Sequence, residues 1–255
     1  MHKNNKSHRE FLRAGPWDKL KEMETEQQQG LSPPPYQKSC EDAVDIINLP
    51  PHDDISPINS DLKEVLWSRR SRRDYSDEYI DIDELSFMLA AAQGTKGEGK
   101  RKRIAPSAGA RYPFETYLAA GRIKSLNPGI YRYLPRGNKL ALIYEEDKII
   151  EIMGKACHSE TFNQQKFIPD SAAVFVWTSL PRRTEWRYGR LSPRLIALEA
   201  GHICQNLYLA GEALNTGICA IGAYDQEEID SLLEIDGRKE FAVYAATAGK
   251  NADRN

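Results

Sequence analysis

The chain has 255 residues, 40% of them hydrophobic, and 35 Lys+Arg against 37 Asp+Glu give a net charge of −2. This composition is near that of an ordinary globular protein and allows a sizeable buried core, and the near-neutral balance argues against a nucleic-acid or anionic-membrane partner. No run reaches the roughly 18 apolar residues of a membrane span, Met1 to Arg13 lacks the apolar stretch of a secretory signal, and Cys40, Cys157, Cys204 and Cys219 form no C-x-x-C pair, so a reducing, cytoplasmic compartment is expected.

Residues 1–60 carry Pro33-Pro34-Pro35, Pro50-Pro51 and Pro57, which break helices and favour extended backbone. This part reads as an N-terminal arm, partly extended, with one short helix between Trp17 and Gln28; two alternatives stand, a disordered arm or one that wraps a partner subunit through Leu12, Trp17, Tyr36 and Ile46-Ile47. The compact domain is expected over 61–255. Leu62, Val65 and Leu66 have helical spacing. Asp81 with Glu84 makes a capping box that opens a helix over Ile82 to Gln93, and Gly94 to Arg103 reads as a polar loop. Strands are expected at Phe114 to Ala120, Ile130 to Leu134, Leu140 to Tyr144 and Ala172 to Thr178, with a helix over Asp147 to Cys157. Pro193 and Gly217 bracket the longest helix, Pro193 to Asn215, which is apolar on most sides and must be central. Strand, helix and strand follow at Ile218 to Gly222, Gln226 to Leu233 and Phe241 to Ala246. Hairpins mixed with helices predict an α+β fold.

Most candidate motifs reduce to structure. Gly94-x-x-x-x-Gly99-Lys100 lacks the Ser or Thr of a nucleotide phosphate loop and follows a helix instead of a strand. Lys100 to Arg103 reads as a solvated basic run. Glu199, His202 and Asn206 form a polar line that reads as a buried hydrogen-bonding strip, and Ser107 lacks the preceding Gly of a nucleophile elbow. Arg69-Arg70-Ser71-Arg72-Arg73 is different. Four guanidinium groups in five residues repel one another unless an anion balances them, and their planar forks suit phosphate oxygens; the alternative is a solvated helix end, where cations suit the helix dipole.

Arg69-Arg70-Ser71-x-Arg73, Ala105 to Pro113, Gly129 to Tyr133, Glu199 to Leu207 and Gly217 to Asp225 occur in an order that resembles the nitroreductase superfamily. Within it the chain is similar to the SagB-type dehydrogenases, flavoenzymes that oxidise thiazolines and oxazolines in peptide natural products. His2 to Lys6 is similar to that subgroup's usual opening. The resemblance implies a nitroreductase-like fold: a central mixed, mostly antiparallel sheet flanked by helices, with the long helix at a homodimer interface. It implies FMN at two shared sites. Arg69, Arg70, Ser71 and Arg73 match positions around the phosphate, ribityl chain and pyrimidine edge. Pro106, Ser107, Ala108 and Gly109 match a loop touching the ring, and Ala220, Ile221, Gly222 and Ala223 match the strand end facing flavin N5. Lys250 and Arg254 are the cations available near the C-terminus.

The subgroup's proposed Lys-Tyr proton-transfer pair corresponds here to Arg187-Tyr188, and Arg is a poor general base. The resemblance implies an FMN-dependent oxidoreductase moving hydride between NAD(P)H or an organic substrate and flavin. An azoline dehydrogenase with a modified-peptide substrate and a non-catalytic flavin-binding subunit are the rival expectations.

Overall fold

A computed structural model describes residues 11–52, 55–57, 59–96 and 102–252. The His2–Lys6 opening, the Gly99–Arg101 part of the basic loop and Arg254 lie outside the described residues. The helices are α1 (Leu62–Ser68), α2 (Ile82–Gln93), α3 (Ile149–Ala156), α4 (Arg182–Tyr188), α5 (Ser192–Ala213) and α6 (Gln226–Leu232). The strands are β1 (Asp45–Asn48), β2 (Thr95–Lys96), β3 (Lys102–Arg103), β4 (Phe114–Ala120), β5 (Gly129–Leu134), β6 (Lys139–Glu145), β7 (Ala173–Ser179), β8 (Thr216–Ile221) and β9 (Phe241–Lys250). No helix among the described residues is long and apolar enough to cross a membrane.

Seven strands form one sheet in the order β1-β6-β5-β4-β7-β9-β8, with every neighbouring pair antiparallel. The parallel element is a single bridge, Ile80 to Ile123. β4 and β7 are buried along their whole length because both faces are covered. Alternate residues therefore serve opposite cores. Leu118, Phe175 and Trp177 pack beneath α2 and α5, together with Ile203 and Leu207. Tyr117, Ala119, Val174 and Val176 pack against α3 and α6, with Met153 and Ile229. The result is a three-layer α+β fold with the long helix on one face, as the sequence pattern predicts.

α2 starts where its capping residues place it, with the Asp81 N–H donating to Glu84 Oε2 at 3.0 Å. Other expectations change. The segment between Gly94 and Arg103 contains a short β2–β3 pairing. The Trp17 region is a 3₁₀ turn over Trp17–Glu22, shorter than the helix expected. The proline-rich segment supplies β1, the sheet's edge strand beside β6, which the sequence pattern does not reveal.

That segment is fastened to the body by hydrogen bonds from backbone and side chains. Gln27 N–H donates to the Trp186 carbonyl at 2.9 Å, and Trp186 Nε1 donates to the Leu31 carbonyl at 2.9 Å. Lys38 N–H donates to Glu115 Oε1 at 2.9 Å, and Arg103 donates to the Tyr36 carbonyl at 2.8 Å. Glu115 is fully buried on β4 and pairs with buried Arg183 of α4 at 2.5 Å. Burial raises its pKa, but Arg183 and Arg103 more than offset this and hold the carboxyl below its ordinary range. Removing one partner of such a pair leaves a buried charge uncompensated. Glu115→Ala is expected to cost about 3–5 kcal/mol in urea unfolding. A loss below about 1 kcal/mol would place the anchoring elsewhere.

Candidate functional site

The arginine run begins where α1 ends, and the structure sorts its members. Arg72 runs beside β8, its N–H donating to the Ile218 carbonyl at 3.0 Å, and its guanidinium pairs with Glu212 of α5 at 3.1 Å. This pins the loop and uses up one cation. The others are differently placed. Arg69 stacks on the Tyr208 ring of α5 at 5.2 Å, and Arg73 stands over Phe167 at 5.6 Å. Arg70 and Arg73 are exposed and Arg69 is half-buried. Among the described residues no carboxylate pairs with Arg69, Arg70 or Arg73. Ser71 Oγ lies 2.9 Å from Tyr208 Oη, which also accepts from the Ala220 N–H at 2.8 Å. One phenol thus joins the arginine loop to the end of β8.

Beyond Ile221 the chain leaves the sheet, and Gly222 and Ala223 are exposed. A side chain at Gly222 would meet no atom within 4 Å, so the backbone there borders open space. Lys250 does not contribute a free cation. Its ammonium is 2.5 Å from Glu84 at the start of α2.

The Pro106–Gly109 loop forms a second cluster. Ser107 Oγ accepts from the Tyr112 N–H at 2.8 Å, closing a tight turn. Gly109 has φ +57°, and a Cβ there would lie 2.6 Å from Tyr188 Oη and 2.9 Å from Arg187 Cδ. The left-handed backbone favours glycine, and any side chain there would have to displace Tyr188 and Arg187. Arg111 holds this turn from behind. Its Nε donates to the Gly109 carbonyl at 2.9 Å, and its guanidinium stands 5.3 Å from the Tyr36 ring and 4.9 Å from the Trp186 ring. α4, which the sequence pattern does not reveal, carries Arg187 and Tyr188 to the same place. Trp17 packs edge-on to Tyr188 at 5.9 Å, and the exposed Arg187 guanidinium lies 5.6 Å from the Tyr188 ring.

The polar line on α5 does not form one buried strip. Glu199 is buried, Asn206 donates to the Ala91 carbonyl at 3.0 Å, and His202 is exposed. Glu199 instead reaches Ser107. Burial raises its pKa to about 7, with the Ser107 hydrogen bond and Arg103 opposing the rise. Glu199 and Tyr208 are nine residues apart, which is about two and a half turns and about 14 Å of rise. They therefore sit on opposite sides of α5, and the exposed Leu198, Gly201, His202 and Gln205 lie between them. Each chain presents two separate clusters. The Arg69–Ser71–Tyr208–Ala220 cluster suits a phosphate-bearing group beside open backbone, and in the second cluster the Tyr188 hydroxyl and the Arg187 side chain lie directly against the Gly109 backbone. These residues fit FMN chemically. Among the described residues, no cluster of three or more His, Cys, Asp or Glu could hold a metal ion.

Glu199 gives the site a pH signature. Its carboxyl ionises near 4.5 when unfolded and at about 7 when folded. Between these values only the unfolded chain releases the proton, so stability falls as pH rises and levels off above the upper value. Glu199→Gln removes this dependence. Relative to wild type, it is expected to gain about 1–3 kcal/mol between about pH 5 and pH 8. Urea unfolding at both pH values checks this, and an unchanged difference would contradict it.

Comparisons with known proteins agree with this fold. The nitroreductase family model matches residues 66–250. A Methanocaldococcus jannaschii protein that bears the nitroreductase name is 32% identical over 192 residues, covering 75% of this chain and 92% of that protein. The trifolitoxin-processing protein TfxB of Rhizobium leguminosarum is 29% identical over 174 residues, 65% of this chain and 46% of TfxB. Among solved structures, a chain from Anabaena variabilis described as a nitroreductase has a TM-score of 0.69 at 26% identity, covering 85% of this chain and 43% of that one. The Escherichia coli microcin synthetase McbBCD complex, with truncated pro-MccB17 bound, contains a chain of the same fold. It has a TM-score of 0.63 at 17% identity, over 97% of this chain and 86% of that one. This chain thus spans less than half the length of TfxB and of the Anabaena protein. The family match runs from within α1 to the last residue of β9, through both clusters on α5, and the chain belongs to the nitroreductase family.

Proposed function

We propose that this protein is an FMN-dependent oxidoreductase that moves hydride between NAD(P)H or an organic substrate and the bound flavin. One observation carries the reading. Arg69, Arg70 and Arg73 have no carboxylate partner among the described residues, and the Ser71–Tyr208–Ala220 hydrogen bonds tie their loop to the open strand end. Unbalanced cations beside a donor hydroxyl suit a phosphate. FMN supplies two-electron redox chemistry when bound. The chain's own part is binding, orientation and proton control. Arg69, Arg70 and Ser71 hold the phosphate and its chain, and Arg73 adds positive charge toward the ring. Pro106 to Gly109 and Ala220 to Ala223 approach it with backbone. Lys250 is engaged by Glu84, so phosphate charge falls to the arginines.

A homodimer completes the site in this reading. The two clusters lie on opposite sides of α5, so a second copy packed on the Leu198–Gln205 stripe would bring one subunit's arginine loop toward the other's Gly109 loop. The arm over residues 1–60 then braces the domain that follows it. Four free cysteines, three of them buried, accord with a reducing cytoplasm.

A second reading, azoline oxidation in a peptide, is favoured by the similarity to TfxB and by α4 setting Tyr188 against Gly109. Arginine is a poor general base, so Tyr188 is the group that would move a proton, while Arg187 attracts an anionic substrate group.

Purified protein is expected to bind FMN and to oxidise NAD(P)H with a nitroaromatic or quinone acceptor. Failure to bind added FMN overturns the proposal, and bound FMN that no donor reduces points to a non-catalytic flavin protein. Conversion of a thiazoline peptide without NAD(P)H selects the second reading. In that case Tyr188→Phe is expected to lower conversion by about a hundredfold while retaining bound FMN.

A further inference from the structure

Tyr208 stands outside the motif residues, yet it is the joint between two of them. Its hydroxyl has two partners, the Ala220 N–H at 2.8 Å and Ser71 Oγ at 2.9 Å. A backbone N–H can only donate, so the phenol oxygen accepts from Ala220. The phenol's own hydrogen then needs an acceptor, because Tyr208 is buried. Ser71 Oγ is the one at hand. If Ser71 donated instead, the phenol oxygen would accept twice and its hydrogen would be stranded in the interior. The favoured direction therefore runs from the Ala220 N–H through Tyr208 to Ser71. The Ser71 hydrogen is left to point away from the protein, and Ser71 is exposed. A competing acceptor, the Cys219 thiol, lies within reach of Ser71, but burial raises its pKa and keeps it a neutral, weak acceptor. The same helix turn continues the arrangement. Glu212, one turn further on, removes Arg72, while the Tyr208 ring supports Arg69.

We propose that Tyr208 is a positioning residue whose hydroxyl fixes the Ser71 hydroxyl as an outward-facing donor for a phosphate group held at the Arg69–Arg73 loop. This rests on the FMN reading above. Tyr208 does not touch the phosphate. It sets the direction of a hydrogen bond that does, and so it controls discrimination between phosphorylated and unphosphorylated flavin.

The test is titration of the full-length, flavin-free protein with FMN and with riboflavin, followed by flavin fluorescence. Wild type is expected to prefer FMN. Tyr208→Phe is expected to lower that FMN-over-riboflavin ratio by about tenfold. Ser71→Ala, at an exposed position that does not threaten folding, is expected to lower it similarly. The double variant should lower the ratio no further than either single one, because both break one chain of bonds. A merely structural role for Tyr208 would weaken both flavins equally and leave the ratio unchanged, which overturns the proposal. So does a wild-type ratio in Ser71→Ala, or additive losses in the double variant. Wild-type protein that binds neither flavin instead overturns the FMN reading, and the role of Tyr208 falls with it.

Discussion

The buried carboxylate of Glu115 is the constraint on which the arrangement of the Gly109 cluster depends. It sits on a central strand and is held between Arg183 of α4 and the segment leading to Tyr36. Arg183 also donates to the Tyr112 carbonyl at 3.1 Å, and Arg103 to the Phe114 carbonyl at 2.8 Å. A charge this deep is tolerated only with its partners in place. Satisfying it fixes α4, the Gly109 turn and the arm relative to the sheet in one step. Tyr188 and Gly109 meet because both are attached to elements that answer to the same carboxylate.

The other cluster is arranged by an opposite rule. There the structure leaves charge unbalanced. Among the described residues, Arg72 alone of the arginine run meets a carboxylate, and that partner, Glu212, is buried. A protein that needed only a solvated helix end would have no reason to sort its cations so unevenly. The sorted loop leaves positive charge unpaired among the described residues, and the backbone at Gly222 borders open space.

Much of this was legible in residue patterns. The strands β4 to β7 announce themselves through apolar runs and turns, and α2 through its capping box. The pattern also marks α5, which begins one residue before Pro193 and ends two before Asn215. The failures have physical causes. β1 is four residues long at an edge, with one partner strand and a proline-rich setting, so its pairing depends on β6 and not on its own sequence. α4 has seven residues, two of them buried for the sake of ion pairing or of the arm, so apolar periodicity is absent. Glu199, His202 and Asn206 share a helix edge by spacing, but what covers each differs, and spacing carries no information about that. By its spacing, Tyr208 adds only apolar surface to the helix. Its hydroxyl matters only because two distant segments converge on it.

The half-turn offset between Glu199 and Tyr208 makes α5 a timing device as well as a packing element. Its angular phase couples the two clusters. A substitution on the exposed stripe leaves that phase intact, whereas inserting or deleting one residue between the two positions rotates one cluster by about 100° against the other. The length of the central helix between these two residues is therefore fixed by geometry, whatever its composition.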